Sequence, residues 1–408
     1  MPIFRTEAGE TAKVPAWLND PTMYHNRGDS TFAGESSEYG DFVGLDDLFT
    51  ERPKVVDGMT DIYRKWVDFG FQATALAFAQ GKPTTGLRDL YAADDYYTDT
   101  DSNAYQLPTF LGNHDMGRAA MMLKGSGSTG TDLMARTKLA NDLMFLTRGQ
   151  PVVYYGDEQG FIGSGGDKNA RQDMFATKVS QYAGEEILGG TRKDRYDTKA
   201  PLYQQISALS KLRAANPGLA DGAQIHRYAS DGAGIYAFSR VDAASGTEYL
   251  VVANNSTAAK SATFATYGKN ASFTQIYGGR AALKSGKDTR VSASVPALSV
   301  SVWKAQSSIA KRTAAPTTWL TSPQPGAVVG GRAEISAVLT ENVFAQVTFA
   351  VRPVGTKIWR TLGTDDNAPL PRFRRCQRFG QGHPPGVPRD HQGQQRQRVG
   401  CLVVRRRR

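Results

Sequence analysis

Apolar positions along the 408-residue chain follow two grammars that change over near Gly218. Upstream, Val55, Met59, Ile62 and Trp66 recur at helical spacing behind Pro53, which suits a helix's first turn, and predict a helix over 54–68. A second helix fits Gln72 to Gln80, broken by Gly81, Pro83 and Gly86 before a Tyr- and Asp-rich loop from Tyr91 to Ser102. Gln106 to Gly112 is a short apolar run ending at Asn113-His114-Asp115, as a buried parallel strand delivers polar groups to a loop. Leu133 to Leu146 reads as a helix, Pro151 to Tyr155 as a second buried strand, and Pro201 to Ala214 as a helix closed by Asn216-Pro217-Gly218. Strand and helix alternate, so this part is expected to be α/β.

Downstream the runs shorten and alternate. Gly234 to Arg240, Tyr249 to Asn254, Ser272 to Ile276 and Leu298 to Trp303 predict strands of a β-sandwich. A Ser/Thr/Ala/Pro linker from Ala305 to Pro316 leads to Ala333–Leu339 and Ala345–Val351, which suggest an immunoglobulin-like module whose remaining strands are not evident. From Met1, the first 53 residues are rich in Gly, Asp, Ser and Thr and fit an ordered loop domain.

Charge changes the picture only at the end. From Leu370 to Arg408 there are eleven Arg and one acid, Asp390, so this tail holds the whole net charge of +10 and the body is neutral. With few aliphatic residues, residues 370–408 are expected to form a basic disordered tail. Its sudden onset within a module and its Arg/Pro/Gly/Gln bias suggest a GC-rich gene read out of frame rather than an arm for nucleic acid, and no reader motif accompanies it. Both cysteines, Cys376 and Cys401, lie in the tail, leaving the body without a thiol-based metal site. Met1 to Ala12 contains no apolar run of signal-peptide length, and no later stretch reaches the roughly 18 residues of a spanning helix. The expectation is a protein that contacts neither nucleic acid nor membrane, and that stays cytoplasmic if made as written.

The candidate chemistry sits in Thr109-Phe110-Leu111-Gly112-Asn113-His114-Asp115-Met116-Gly117-Arg118, which puts an imidazole beside a carboxylate at a strand's C-terminal end. Taken alone, Asn-His-Asp is as compatible with a turn and a helix cap. Tyr24-His25-Asn26-Arg27-Gly28, Gly44-Leu45-Asp46-Asp47-Leu48 and Gly149-Gln150-Pro151-Val152-Val153-Tyr154-Tyr155-Gly156-Asp157-Glu158 follow the same pattern in the same order. Together these segments make residues 15 to 305 resemble the α-amylase family of glycoside hydrolases.

That resemblance implies a partial (β/α)8 TIM barrel with a loop domain over 1–218, a C-terminal β-sandwich over 219–306, and a truncated immunoglobulin-like β-module over 314–369. It implies retaining hydrolysis of α-1,4-glucosidic bonds in an α-glucan or maltooligosaccharide, with Asp115 as transition-state stabiliser and His114 and Asn113 as substrate-binding groups. It also implies an extracellular parent and calcium as cofactor, held partly by an Asn this chain lacks; Asp29, Asp41 or Asp46 would offer oxygens to an incomplete site, or serve only as solvated turn residues.

The family's mechanism needs two carboxylates about 5 to 5.5 Å apart. Where the nucleophile's Gly-Phe-Arg-x-Asp belongs, this chain reads Gly70-Phe71-Gln72-Ala73-Thr74, and no glutamate occurs between Glu51 and Glu158 to act as acid/base. A barrel's fourth to seventh strands need on the order of a hundred residues, yet only about forty separate Phe71 from Asn113. An internal deletion joined within Val67-Asp68-Phe69-Gly70-Phe71 accounts for this. Asp157 and Glu158 are assigned to hydrogen bonding at the barrel mouth, and His226 to structure. The expectation is a hydrolase by descent that does not hydrolyse starch, with self-association through open barrel edges. The alternatives are a catalytically dead carbohydrate-binding protein using Trp303, Trp319 or Trp359, or a non-functional gene remnant.

Overall fold

The computed structural model describes residues 13, 15–41, 46–59, 70–93, 104–175, 177–190, 195–279, 281–311, 314–325, 327, 332–353, 357–365, 370–375 and 397–403. The chain divides into two compact units, Met1–Gly70 and Phe71–Arg408. The first unit is built from turns and bridges, with Tyr24 paired to Leu48 and Asp29 to Asp41, around a small core of Met23, Tyr24 and Val55. Residues 53–59 are helical, as Pro53 predicts; the remainder of the expected 54–68 helix lies outside the described residues.

Among the described residues of the second unit the helices longer than one turn are α1 (Phe71–Ala79), α2 (Thr85–Ala93), α3 (Ala119–Gly125), α4 (Gly130–Leu146), α5 (Pro201–Ala215) and α6 (Pro217–Asp221). Pro201 opens α5, and Asn216 leaves helical geometry because the following Pro217 disfavours it. Two short strands, β1 (Pro108–Phe110) and β2 (Gln150–Val152), pair in parallel with Phe110 opposite Val152. The expected partial barrel is therefore represented, among the described residues, by one parallel pair backed by helices. Gln72 of α1 anchors this layer by donating to the carbonyl of Leu111 at 2.6 Å.

The C-terminal sandwich forms as expected, with more strands than the pattern revealed. Strands β3 (Ala223–Ala229), β4 (Ile235–Asp242), β5 (Thr247–Asn254), β7 (Ser272–Tyr277), β8 (Leu283–Lys284) and β10 (Ser299–Ala305) make a six-stranded sheet of order β3-β4-β5-β10-β7-β8. A second sheet pairs β6 (Lys260–Ala265) with β9 (Arg290–Val295). Successive side chains of a strand face opposite ways. Hence Tyr236, Phe238, Val251 and Val302 join the helices in one core, while Ile235, Ala237, Leu250, Val252 and Trp303 meet Phe264 and Val291 in another. Burial on both faces makes β4 and β5 almost unbroken apolar runs. Trp303, expected as an exposed sugar platform, is instead 1% exposed in that second core.

The last module also has more strands than expected. Sheets β11-β12-β15 and β14-β13-β16 combine β11 (Thr318–Ser322), β12 (Arg332–Leu339), β13 (Val347–Pro353), β14 (Arg360–Asp365), β15 (Leu370–Arg375) and β16 (Gln397–Val403). Two stretches of the tail expected to be disordered are thus strands. Open edges of β12 and β13 present unpaired backbone groups, and any extended segment with interspersed apolar residues, such as Leu370 or Val399, can satisfy them. The rest of the tail lies outside the described residues. Among the described residues no helix is long and apolar enough to cross a membrane.

A buried ion pair tests the sandwich. Arg227 and Glu248, with side chains 7% and 2% exposed, meet at 2.9 Å, and Glu248 also accepts from Ser239 and the Tyr267 amide. Removing the cation leaves a buried carboxylate uncompensated. Arg227→Ala is expected to lower the unfolding free energy in urea by about 3 kcal/mol, whereas removing the exposed Arg88–Asp89 pair should change it by less than about 1 kcal/mol.

Candidate functional site

The loop after β1 is shaped by its own polar residues. The side-chain oxygen of Asn113 accepts from the backbone amides of Asp115 at 2.9 Å and Met116 at 2.8 Å, folding the chain into a tight turn. Gly117 closes that turn with φ of 92°, where a Cβ would lie 2.6 Å from Met121 and 3.0 Å from the Gly165 carbonyl. Asn113 is thus engaged as the turn-former. His114 and Asp115 are displayed at the rim, 62% and 65% exposed, with His114 Nε2 3.3 Å from Asp115 Oδ2.

Two groups not singled out in the sequence complete this corner. Arg171 sits 2.6 Å from Asp167 and 3.4 Å from the other carboxylate oxygen of Asp115, Oδ1. The Asp167 amide donates to the Asp115 carbonyl at 2.9 Å. The result is a solvent-facing array of imidazole, guanidinium and two carboxylates. Such an array can exchange hydrogen bonds with sugar hydroxyls; neither carboxylate is buried in the apolar setting that keeps a catalytic acid protonated.

Beneath it lies Arg118, completely buried. Its guanidinium donates to Gln172 Oε1 (2.8 Å), the carbonyls of Tyr155 (2.8 Å) and Ala170 (3.1 Å), and Asp157 Oδ1 (2.7 Å). The rings of Tyr154 and Phe161 lie 4.6 and 5.1 Å from it. Burial pushes the Asp157 carboxyl up to about 6, against the pull of Arg118. Glu158 accepts the Gly156 amide at 2.8 Å. Asp157 and Glu158 therefore have the hydrogen-bonding roles expected of them.

The segment expected to stand where the family's nucleophile belongs is a helix here. Thr74 lies in α1, half-buried, with its methyl 3.8 Å from where a Cβ on Gly86 would lie. It offers no carboxylate and does not belong to a strand. His226 stacks on Tyr236 in the sandwich, and its pKa falls to about 4, through burial first and Arg88 second, so the ring stays neutral.

The aspartates considered for calcium do not fit a cage. Asp46 is paired with Lys13 at 2.7 Å, Asp41 accepts the Asp47 amide at 2.8 Å, and Asp47 pairs with His25 at 2.5 Å. No three such groups converge on one point among the described residues.

Comparison with known proteins gives this arrangement its context. Residues 67–222 match the model of the α-amylase catalytic domain. An α-amylase of Streptomyces lividans is 46% identical over 435 residues, taking in 89% of this chain and 47% of that protein. A β/α-amylase of Paenibacillus polymyxa is 27% identical over 213 residues, 52% of this chain and 15% of that protein. This chain thus spans about half the length of the first relative and less of the second. The crystal structure of an Anoxybacillus α-amylase superposes with a TM-score of 0.48 at 18% identity, covering 72% of this chain and 73% of the other. On the catalytic-domain match and the extended identity to the Streptomyces enzyme, the chain belongs to the α-amylase family of glycoside hydrolases.

Proposed function

We propose that this chain descends from a retaining hydrolase of α-1,4-glucans and retains glucan-contacting groups without the residues that cleave the bond. One observation carries the reading: the segment where the attacking carboxylate belongs is helix α1 with Thr74 in its place, and no glutamate stands between Glu51 and Glu158. A threonine hydroxyl without an adjacent base is a poor nucleophile.

Two findings support an internal deletion as the cause. The alignment to the Streptomyces α-amylase runs over 435 positions, more than the 408 residues of this chain, so parts of that relative have no counterpart here. The boundary between the two compact units also falls between Gly70 and Phe71, within the suspected join. In this reading Asp115 and His114 are the residual groups for a maltooligosaccharide, with Asn113 shaping the turn that presents them. The edges of β1 and β2 unpaired by described strands, with Val152 49% exposed beside them, make self-association part of the same proposal.

A second reading, sugar binding by the last module, is favoured by the exposed indoles of Trp319 and Trp359, 52% and 47% accessible. Affinity electrophoresis of the full chain in starch-containing gels separates the two. Retardation is expected, and Asp115→Asn should weaken it by on the order of tenfold through loss of a charged hydrogen-bond acceptor. Retardation abolished by Trp319→Ala with Trp359→Ala, and untouched at Asp115, assigns binding to the module instead. Migration identical with and without starch eliminates both.

A further inference from the structure

Three elements of the second unit meet at a single carboxyl group. Asp142 lies on α4, beside Asn141 in a stretch from Leu139 to Leu146 whose other residues are apolar, and is 5% exposed. Its Oδ1 accepts the phenol of Tyr277, from β7 of the sandwich, at 2.6 Å. The same oxygen accepts the amide of Gln205, from α5, at 2.8 Å. Gln205 also donates to the Lys138 carbonyl at 2.8 Å, which uses its second N–H.

This cluster is short of a proton donor. Tyr277 contributes one hydrogen and Gln205 two, and all are committed to Oδ1 and the Lys138 carbonyl. The side-chain oxygen of Gln205 is buried with no partner. Among the described residues no cation pairs with Asp142: the charged or titratable groups facing it there are Lys138, one turn earlier on its own helix and outside ion-pair distance, and Tyr277, while α5 presents the uncharged Gln205. A buried carboxylate with hydrogen bonds but no counter-charge is costly when ionised. Because both accepted bonds fall on Oδ1, a proton on Oδ2 removes that cost without disturbing either bond.

We propose that Asp142 is a pH-sensitive latch between the helical layer and the C-terminal sandwich, tight when its carboxyl is protonated and weakened when it is ionised. Burial raises this carboxyl from 3.8 to about 7, the bonds from Tyr277 and Gln205 opposing the shift. The phenol of Tyr277 is itself pushed up by burial and by the neighbouring carboxylate, so it stays a donor throughout. The folded carboxyl holds its proton more tightly than the opened one. Its stabilising contribution is therefore full below about 4, lost as pH rises toward about 7, and constant above that.

Hydrogen exchange of the full chain, corrected for intrinsic rates and read in peptides covering 139–146, 205–212 and 272–277, tests this. In the wild type the opening constant should rise by up to about tenfold per pH unit between pH 5 and about 7, then level off. Asp142→Asn, which keeps an oxygen at the Oδ1 position, should remove that rise. Equal slopes in the two proteins overturn the latch. If the Asn variant does not fold, Tyr277→Phe decides: losing a donor to the ionised form should extend the rising region to higher pH, and an unchanged profile contradicts the proposal.

Discussion

The site region depends on the Arg118–Asp157 pair. A fully buried guanidinium is tolerable only if its fork of N–H groups is satisfied, and here the acceptors come from two segments: the Tyr155 carbonyl with Asp157, and the Ala170 carbonyl with Gln172. Arg118 immediately follows the turn that carries His114 and Asp115, while its acceptors lie after β2. One side chain therefore holds the loop after one strand against the loop after the next. The parallel pair β1–β2 is only three residues long on each side, too short to fix those loops by its ladder alone.

In the proposed reading, that frame survives where the reaction does not. Holding a carboxylate and an imidazole at a strand's end requires β1, β2, their loops and the helices behind them, all of which are present. Breaking a glycosidic bond with retention requires a pair of carboxylates, which the family resemblance leads one to expect before β1. In their place α1 follows Gly70 directly and packs Gln72 against Leu111. The apolar spacing from Phe71 to Ala79 is satisfied by a helix over the strand's end, so this segment folds without needing a carboxylate. The family membership and the proposed inactivity rest on different segments and do not conflict.

Much of the architecture was legible in the sequence. Helices α1, α4 and α5 and strands β4, β5, β7 and β10 stand out because long periodic or continuous apolar runs report burial directly. Strand β9, Arg-Val-Ser-Ala-Ser-Val, was missed because only three small side chains, Val291, Ala293 and Val295, mark its buried face. Helix α2 was missed because Gly86 and the tyrosines after it read as a loop, although Leu87 and Leu90 are buried. In the site, His114 and Asp115 were legible from their motif. Arg171 and Asp167 were not, since their proximity to Asp115 arises from a loop more than fifty residues away. Nor could Arg118 be recognised as the hub, because burial of an arginine leaves no periodic trace. Asp142 was not singled out either, although an acid beside Asn141 in a helical stretch whose other residues from Leu139 to Leu146 are apolar is a signal that could have found it.

The central claim is that the glucan-facing corner persists without a cleaving pair. It is tested most directly by incubating the purified full chain, at substrate-like concentration, with maltoheptaose and following chain length by mass spectrometry. The account predicts an unchanged heptasaccharide. Shorter maltooligosaccharides released with retained anomeric configuration, and absent from the Asp115→Asn variant purified in the same way, would contradict it.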